Sequence, residues 1–149
     1  MIAGRSYALD GGLDAAFGAG GRVATDIGAS DDDARAIAIQ SDGKIVAAGR
    51  TLNGANYDLA LIRYNADGAL DASFGAGGVV TTGFGAYGTV ANAVAIQSDG
   101  KIVAAVGYTG DFVLVRYNAD GALDASFDAG GIVTTVFAAH GASANALGI

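Results

Sequence analysis

Three consecutive carboxylates, Asp31, Asp32 and Asp33, and one imidazole, His140, are the residues whose types suit metal chemistry in this chain. Carboxylate oxygens with an imidazole nitrogen form a donor set for a hard or borderline divalent cation such as calcium, manganese or zinc. A cation held there would activate its water for ester or phosphoester hydrolysis. The plainer reading, a solvated acidic loop and a surface histidine, is preferred. Arg35 and Arg50 are cations without a counterpart elsewhere in the chain. They would pair with these acids or meet an anionic ligand, and exposed pairs contribute little.

Other motifs carry less. Asn65-Ala66-Asp67-Gly68 followed by Asp71 looks like part of a calcium loop and recurs from Asn118 to Asp124, but Arg63 and Phe74 stand where further acids are needed. A repeated Asx-type turn is preferred. Gly83 to Gly88 matches GxGxxG, yet a strand is expected after it where a dinucleotide fold requires a helix. No GxSxG occurs, and a single histidine signals no triad.

The elements that must position these residues come from repetition, which decides architecture before any motif does. Ala36 to Ala48 recurs at Ala93 to Ala105 with only Ile37 exchanged for Val94. Each copy reads as a β-hairpin: an apolar run, then Ser41-Asp42-Gly43 or Ser98-Asp99-Gly100, then a second apolar run. Asp-Gly there is expected to supply the positive φ angles of a tight primed turn. A connector occurs three times, at Asp10 to Gly21, Asp67 to Gly78 and Asp120 to Gly131. After each comes a short β-rich run: Arg22 to Ile27, Val79 to Phe84 and Ile132 to Phe137. Further strands are expected from Leu59 to Tyr64 and Phe112 to Tyr117, and no window carries a helical period with caps. An insertion in the first copy, LNGANY, is expected to lengthen a loop between Gly49 and Asp58.

Four antiparallel strands per unit of roughly 50 residues is the pattern of β-propeller blades. The fold class is therefore all-β, with about two and a half to three blades in one repeat domain, 1–149, its copies at roughly 7–63, 64–116 and 117–149. Counting by analogy gives ten strands and an eleventh from Ile2 to Tyr7. The stretches Arg63 to Thr82, AIQSDGKIVAA and Asp111 to Asn118 resemble the delta-60 repeats, a family of bacterial propeller-like repeats. That resemblance implies a propeller repeat of bacterial origin and brings no activity.

Propellers close with typically four to eight blades, so one chain is expected to leave edges such as Ala144 to Ile149 open. A homo-oligomer follows, most simply a twofold dimer making a five- or six-bladed ring. Positions identical in every copy serve blade construction, so ligand contacts are sought where copies differ. The candidate ligand face comprises Asp26 and Arg35 of the first copy, Tyr87 and Asn92 of the second, and Asn145 beside His140 in the third. Repeat equivalence puts these loops on one face of the ring, with Asp31, Asp32 and Asp33 facing His140 across a central opening.

Composition bounds the rest. At 52% hydrophobic and 15% charged the chain should fold, and its 25 glycines, lacking a period of three, read as turns between short strands. A net charge of −7 repels phosphate backbones and anionic lipid heads, so nucleic acid and membrane surfaces are not expected as partners. Without cysteine there is neither a disulfide nor a thiolate metal site. Met1 to Gly21 has neither a basic start nor a hydrophobic signal core, which leaves the location open and points to a soluble chain. The favoured function is a repeat scaffold for binding or assembly, taking a small-molecule or protein ligand. The alternative is a small metal-dependent hydrolase with an Asp/His site at the ring centre or subunit interface.

Overall fold

A computed structural model describes residues 11–28, 31–85, 88–108, 111–136 and 144–148. The described residues are all-β, and no helix among them is long and apolar enough to cross a membrane. The strands are β1 (Asp32–Ile39), β2 (Ile45–Asn53), β3 (Asn56–Tyr64), β4 (Val79–Thr82), β5 (Val90–Ile96), β6 (Ile102–Tyr108), β7 (Asp111–Tyr117) and β8 (Ile132–Thr135). They form two antiparallel sheets of four, β1-β2-β3-β4 and β5-β6-β7-β8, each a meander in chain order. These are two propeller-type blades, and two blades do not close a ring. The hydrophobic runs after the second and third connectors supply the last strands of the two sheets, so each sheet is offset from the sequence copies.

The hairpin turn differs from the expected primed type. Gly43 is left-handed at φ 85° while Asp42 keeps an ordinary φ. The Gly43 amide donates to the Gln40 carbonyl and the Gln40 amide to the Lys44 carbonyl. This is the longer hairpin in which one left-handed glycine ends a tight turn. Asp42 contributes through its side chain instead, accepting a hydrogen bond from the Lys44 amide at 3.1 Å.

The insertion LNGANY also acts otherwise than expected. β2 and β3 pair without interruption from Ile45 with Tyr64 to Asn53 with Asn56, so the extra residues lengthen two strands and leave the turn tight. β2 and β3 have 9 residues each, against 7 in β6 and in β7. The expected loop from Asp26 to Arg35 is likewise partly strand, since β1 begins at Asp32. Conversely, the run Arg22 to Ile27 makes no strand and is held by an isolated bridge between Gly18 and Arg22.

Alternation along each strand gives every blade two apolar faces, the expected requirement for stacked sheets. The downstream face of the first blade carries Val46, Ala48, Leu59 and Leu61. The upstream face of the second carries Val94, Ile102, Val113, Val115 and Tyr117, and the two faces share one core. β5 is the strand that touches β1, β2 and β3. Burying one such Leu or Val side chain fully contributes about 1.5–3 kcal/mol. The downstream face of the second blade repeats the arrangement: Ala93, Ala105, Phe112 and Leu114 pack with Ala144 and Leu147. Aligned on the repeat, Ala144 and Leu147 correspond to Ala91 and Val94 of β5. The segment 144–148 therefore sits on the second blade as β5 sits on the first.

Candidate functional site

The charged residues that recur in both blades are consumed in the fold. In the first, Asp71 of the connector accepts from Arg63 Nε of β3 at 2.7 Å and pairs with Lys44 Nζ, just before β2, at 3.0 Å. Its other oxygen takes the Ser73 hydroxyl at 2.7 Å. The Arg63 guanidinium lies over the Phe74 ring at 4.5 Å and donates to the Ala119 carbonyl in the next connector. Hydrogen bonds from Ser73 and Lys44 hold the Asp71 carboxyl well below the usual carboxylate range, more than offsetting the opposing effect of burial. The second blade repeats the tie with Asp124, Arg116 at 2.7 Å, Lys101 at 3.2 Å and Ser126 at 2.6 Å. The preceding turn is of the Asx type, with the Ala69 amide donating to Asp67 Oδ1 at 3.0 Å.

A second cluster belongs to the first blade alone. Arg50 lies over the Tyr57 ring at 4.1 Å, and its Nε is 3.6 Å from Asp33 Oδ2. Arg35 Nε reaches the same oxygen at 3.0 Å. The Tyr57 hydroxyl donates to Asp31 Oδ2, which pushes the phenol above its ordinary pKa and keeps it neutral. Asp32 turns away and accepts from the Ile27 amide at 2.8 Å. A side-chain hydrogen bond from Thr51, then that amide, lower its pKa. The three neighbouring carboxylates thus answer three different partners. Among the described residues no group of three or more His, Cys, Asp or Glu is gathered to hold a metal ion.

Of the remaining residues singled out by sequence, Asp26 accepts from the Gly28 amide at 3.1 Å, beside the Ile27 that caps Asp32. Arg35 and Asn92 sit at equivalent places, each where the register of the first hairpin strand shifts, between Ala34 and Ala36 and between Ala91 and Ala93. A bulge of this kind re-aims the side chain it carries. Asn145, by repeat alignment their third counterpart, is exposed. His140 and Tyr87 lie outside the described residues. Sequence reasoning missed Tyr57 and Asn53, which donates to Asp58 Oδ2 at 2.8 Å. Both belong to the LNGANY insertion or its edge, and an insertion present in one copy was the available signal.

Asp32, Asp33 and Arg50 stand at one end of a cavity of about 200 Å³. Val23, Thr25 and Ile27 form one wall, and Ala47, Gly49, Ala60, Ile62 and Tyr64 on the upstream face of the first blade form the other. The wall is tied across by Tyr64, whose hydroxyl donates to Thr25 Oγ1 at 2.7 Å. In the second blade the positions of Gly49 and Ala60 are taken by Val106 and Val113, both fully buried, so the equivalent space is filled. A wider groove of about 860 Å³ runs beside β4, but the Ser73 hydroxyl in it is already spent on Asp71.

Fold and site define the class: stacked propeller blades that repeat one structural tie and carry one polar cluster particular to a single blade. Residues 40–74 and 97–127 match the model of a family described as a domain of unknown function (DUF5122) beta-propeller. Each matched segment opens just before a hairpin turn and closes on the aromatic residue under the arginine, Phe74 or Phe127, and so encloses one tie. No curated protein matches the chain.

Proposed function

We propose that this chain is a repeat scaffold for binding or assembly, with ligand contact at the first blade and no chemistry of its own. The observation that carries this reading is the division of labour among polar side chains. Those repeated in both blades hold strands and connectors together, whereas Asp33, Arg35, Arg50 and Tyr57, particular to one blade, form a separate cluster of which Asp33 and Arg50 line a cavity. A cavity of that size, with a lining of mixed polar and apolar character, suits a small polar ligand or one side chain of a protein ligand. The paired charges and the neutral Tyr57 phenol offer donors and acceptors without a free nucleophile. A homo-oligomer, most simply a dimer, is part of the proposal.

Amide chemical shifts, followed while small amino acids, polyols and divalent cations are titrated in turn, test the binding half. Perturbations should concentrate at Asp31 to Arg35 and Arg50 to Asp58, and Arg50→Ala should abolish them. Stoichiometric metal on the purified protein together with metal-dependent ester or phosphoester turnover would overturn this reading in favour of the hydrolase. Sedimentation tests the assembly half: a monomer throughout the micromolar range would remove it.

A further inference from the structure

Ile37 and Ile39 of β1 are 67% and 70% exposed, side by side on the upstream face of the first blade. Their repeat counterparts in β5 are Val94 and Ile96, which join the core shared with the first blade. What covers them there includes the small residues Ala36 and Ala38, on the opposite side of β1 from Ile37 and Ile39. The contact of β1 with β5 is thus small against large, an alanine ledge against branched aliphatics.

The same chain carries the other half of that interface, also uncovered. In the segment 144–148, Ala144 and Leu147 face the second blade. Ala146 and Gly148 align with Ala93 and Ala95, and so with Ala36 and Ala38, and both are exposed. Among the described residues one copy therefore displays a large aliphatic face without its ledge and a ledge without its aliphatic face.

We infer that the Ile37–Ile39 face of β1 is a docking surface for a second copy of this chain, which seats the Ala146 and Gly148 ledge of its 144–148 segment on those isoleucines. This rests on the assembly half of the function proposed above and specifies its geometry. The contact is head to tail, so two copies joined at two such seams close a ring, and continued addition is the open alternative. The chemistry repeats the contact between β1 and β5 within one chain, which is the reason to assign a second copy rather than an unrelated protein.

Two measurements test this. Sedimentation velocity at micromolar concentration should show an oligomer for the unaltered protein and for Val136→Asp, which adds a charge at another exposed apolar position. The double substitution Ile37→Asp with Ile39→Asp should weaken association at least a hundredfold while leaving the far-ultraviolet circular dichroism unchanged. Because the chain has no cysteine, Ile37→Cys and Ala146→Cys proteins can be mixed and treated with a short bismaleimide. A crosslinked heterodimer is expected. An oligomer that survives the double substitution and gives no crosslink overturns this face and leaves assembly standing. A monomeric unaltered protein overturns both. Should the double variant unfold, the crosslink decides alone.

Discussion

Asp71 accepts the Ser73 hydroxyl on one oxygen and meets both Arg63 and Lys44 on the other, and it is 6% exposed. Replacing it by asparagine leaves Arg63, itself 4% exposed, without its counter-charge. A loss of about 3 kcal/mol is expected in urea unfolding. Asp124→Asn should cost less, because the side chain of Arg116 is 19% exposed against 5% for Arg63, so water takes up part of the stranded charge. Equal losses would mean that exposure does not set the strength of the tie. Both carboxyls have folded pKa values below the ordinary one. Their stabilisation is therefore complete above an unfolded pKa of about 3.9 and is lost as pH falls below it toward the folded values. Unfolding midpoints measured from pH 7 downward should stay level until that point and then drop, and the drop should shrink in Asp71→Asn. At Gly49 the constraint is steric: a Cβ would land on the Asp33 carbonyl. Gly49→Ala should cost about 1–3 kcal/mol, checked in the same unfolding experiment. Recurrence in the sequence marked Lys44, Arg63, Asp71 and Ser73 as structural. Their mutual pairing was not legible, because it needs β2, β3 and the connector brought together by the sheet.

Strand identity was largely legible, because apolar runs bounded by glycine and aspartate have few other uses in so glycine-rich a chain. Strand length was not. LNGANY contains turn residues and reads as a loop, yet cross-strand pairing out to Asn53 and Asn56 absorbs it into a longer hairpin. Asp32 and Asp33 read as loop because acids are poor strand formers, and β1 takes them in since Asp32 and Asp33 lie opposite Thr51 and Arg50 at its exposed end. The candidate metal set illustrates the same limit: three adjacent acids share a position in sequence, and the backbone sends them to different partners. How one sheet grips the next was also hidden. Tyr117 of β7, fully buried, shares a 2.7 Å hydrogen bond with Thr82 at the end of β4 in the preceding blade. Tyr117→Phe strands the Thr82 hydroxyl and should lower stability by about 1–2 kcal/mol. Tyr64→Phe removes the equivalent bond to Thr25 from a half-buried site and should cost less. Urea denaturation of the two variants separates a gripping role from mere packing, since neither substitution changes aromatic volume.

At the scale of the whole molecule the decisive feature is one interface built within the chain and presented again, unpaired, on its surface. The contact between β1 and β5 shows that Ile-type and Ala-type faces of these blades fit each other. Ile37 and Ile39 at one end and Ala146 with Gly148 at the other are the same two faces left open. Exposed aliphatics of this kind on adjacent alternate positions favour association over solvation, each burying surface worth about 25 cal/mol per Å². If association supplies part of the folding free energy, the melting temperature must depend on protein concentration. A hundredfold increase stabilises the assembled state by up to about 2.7 kcal/mol. For a domain of this size that is a rise of about 5–10 °C, from about 2–4 °C per kcal/mol. The expected result is such a rise for the unaltered protein, and a flat, lower curve for Ile37→Asp with Ile39→Asp, whose monomer loses nothing that its own fold had buried. A flat curve for the unaltered protein would mean that the two open faces contribute no folding energy to each other, and would end the case for assembly through them.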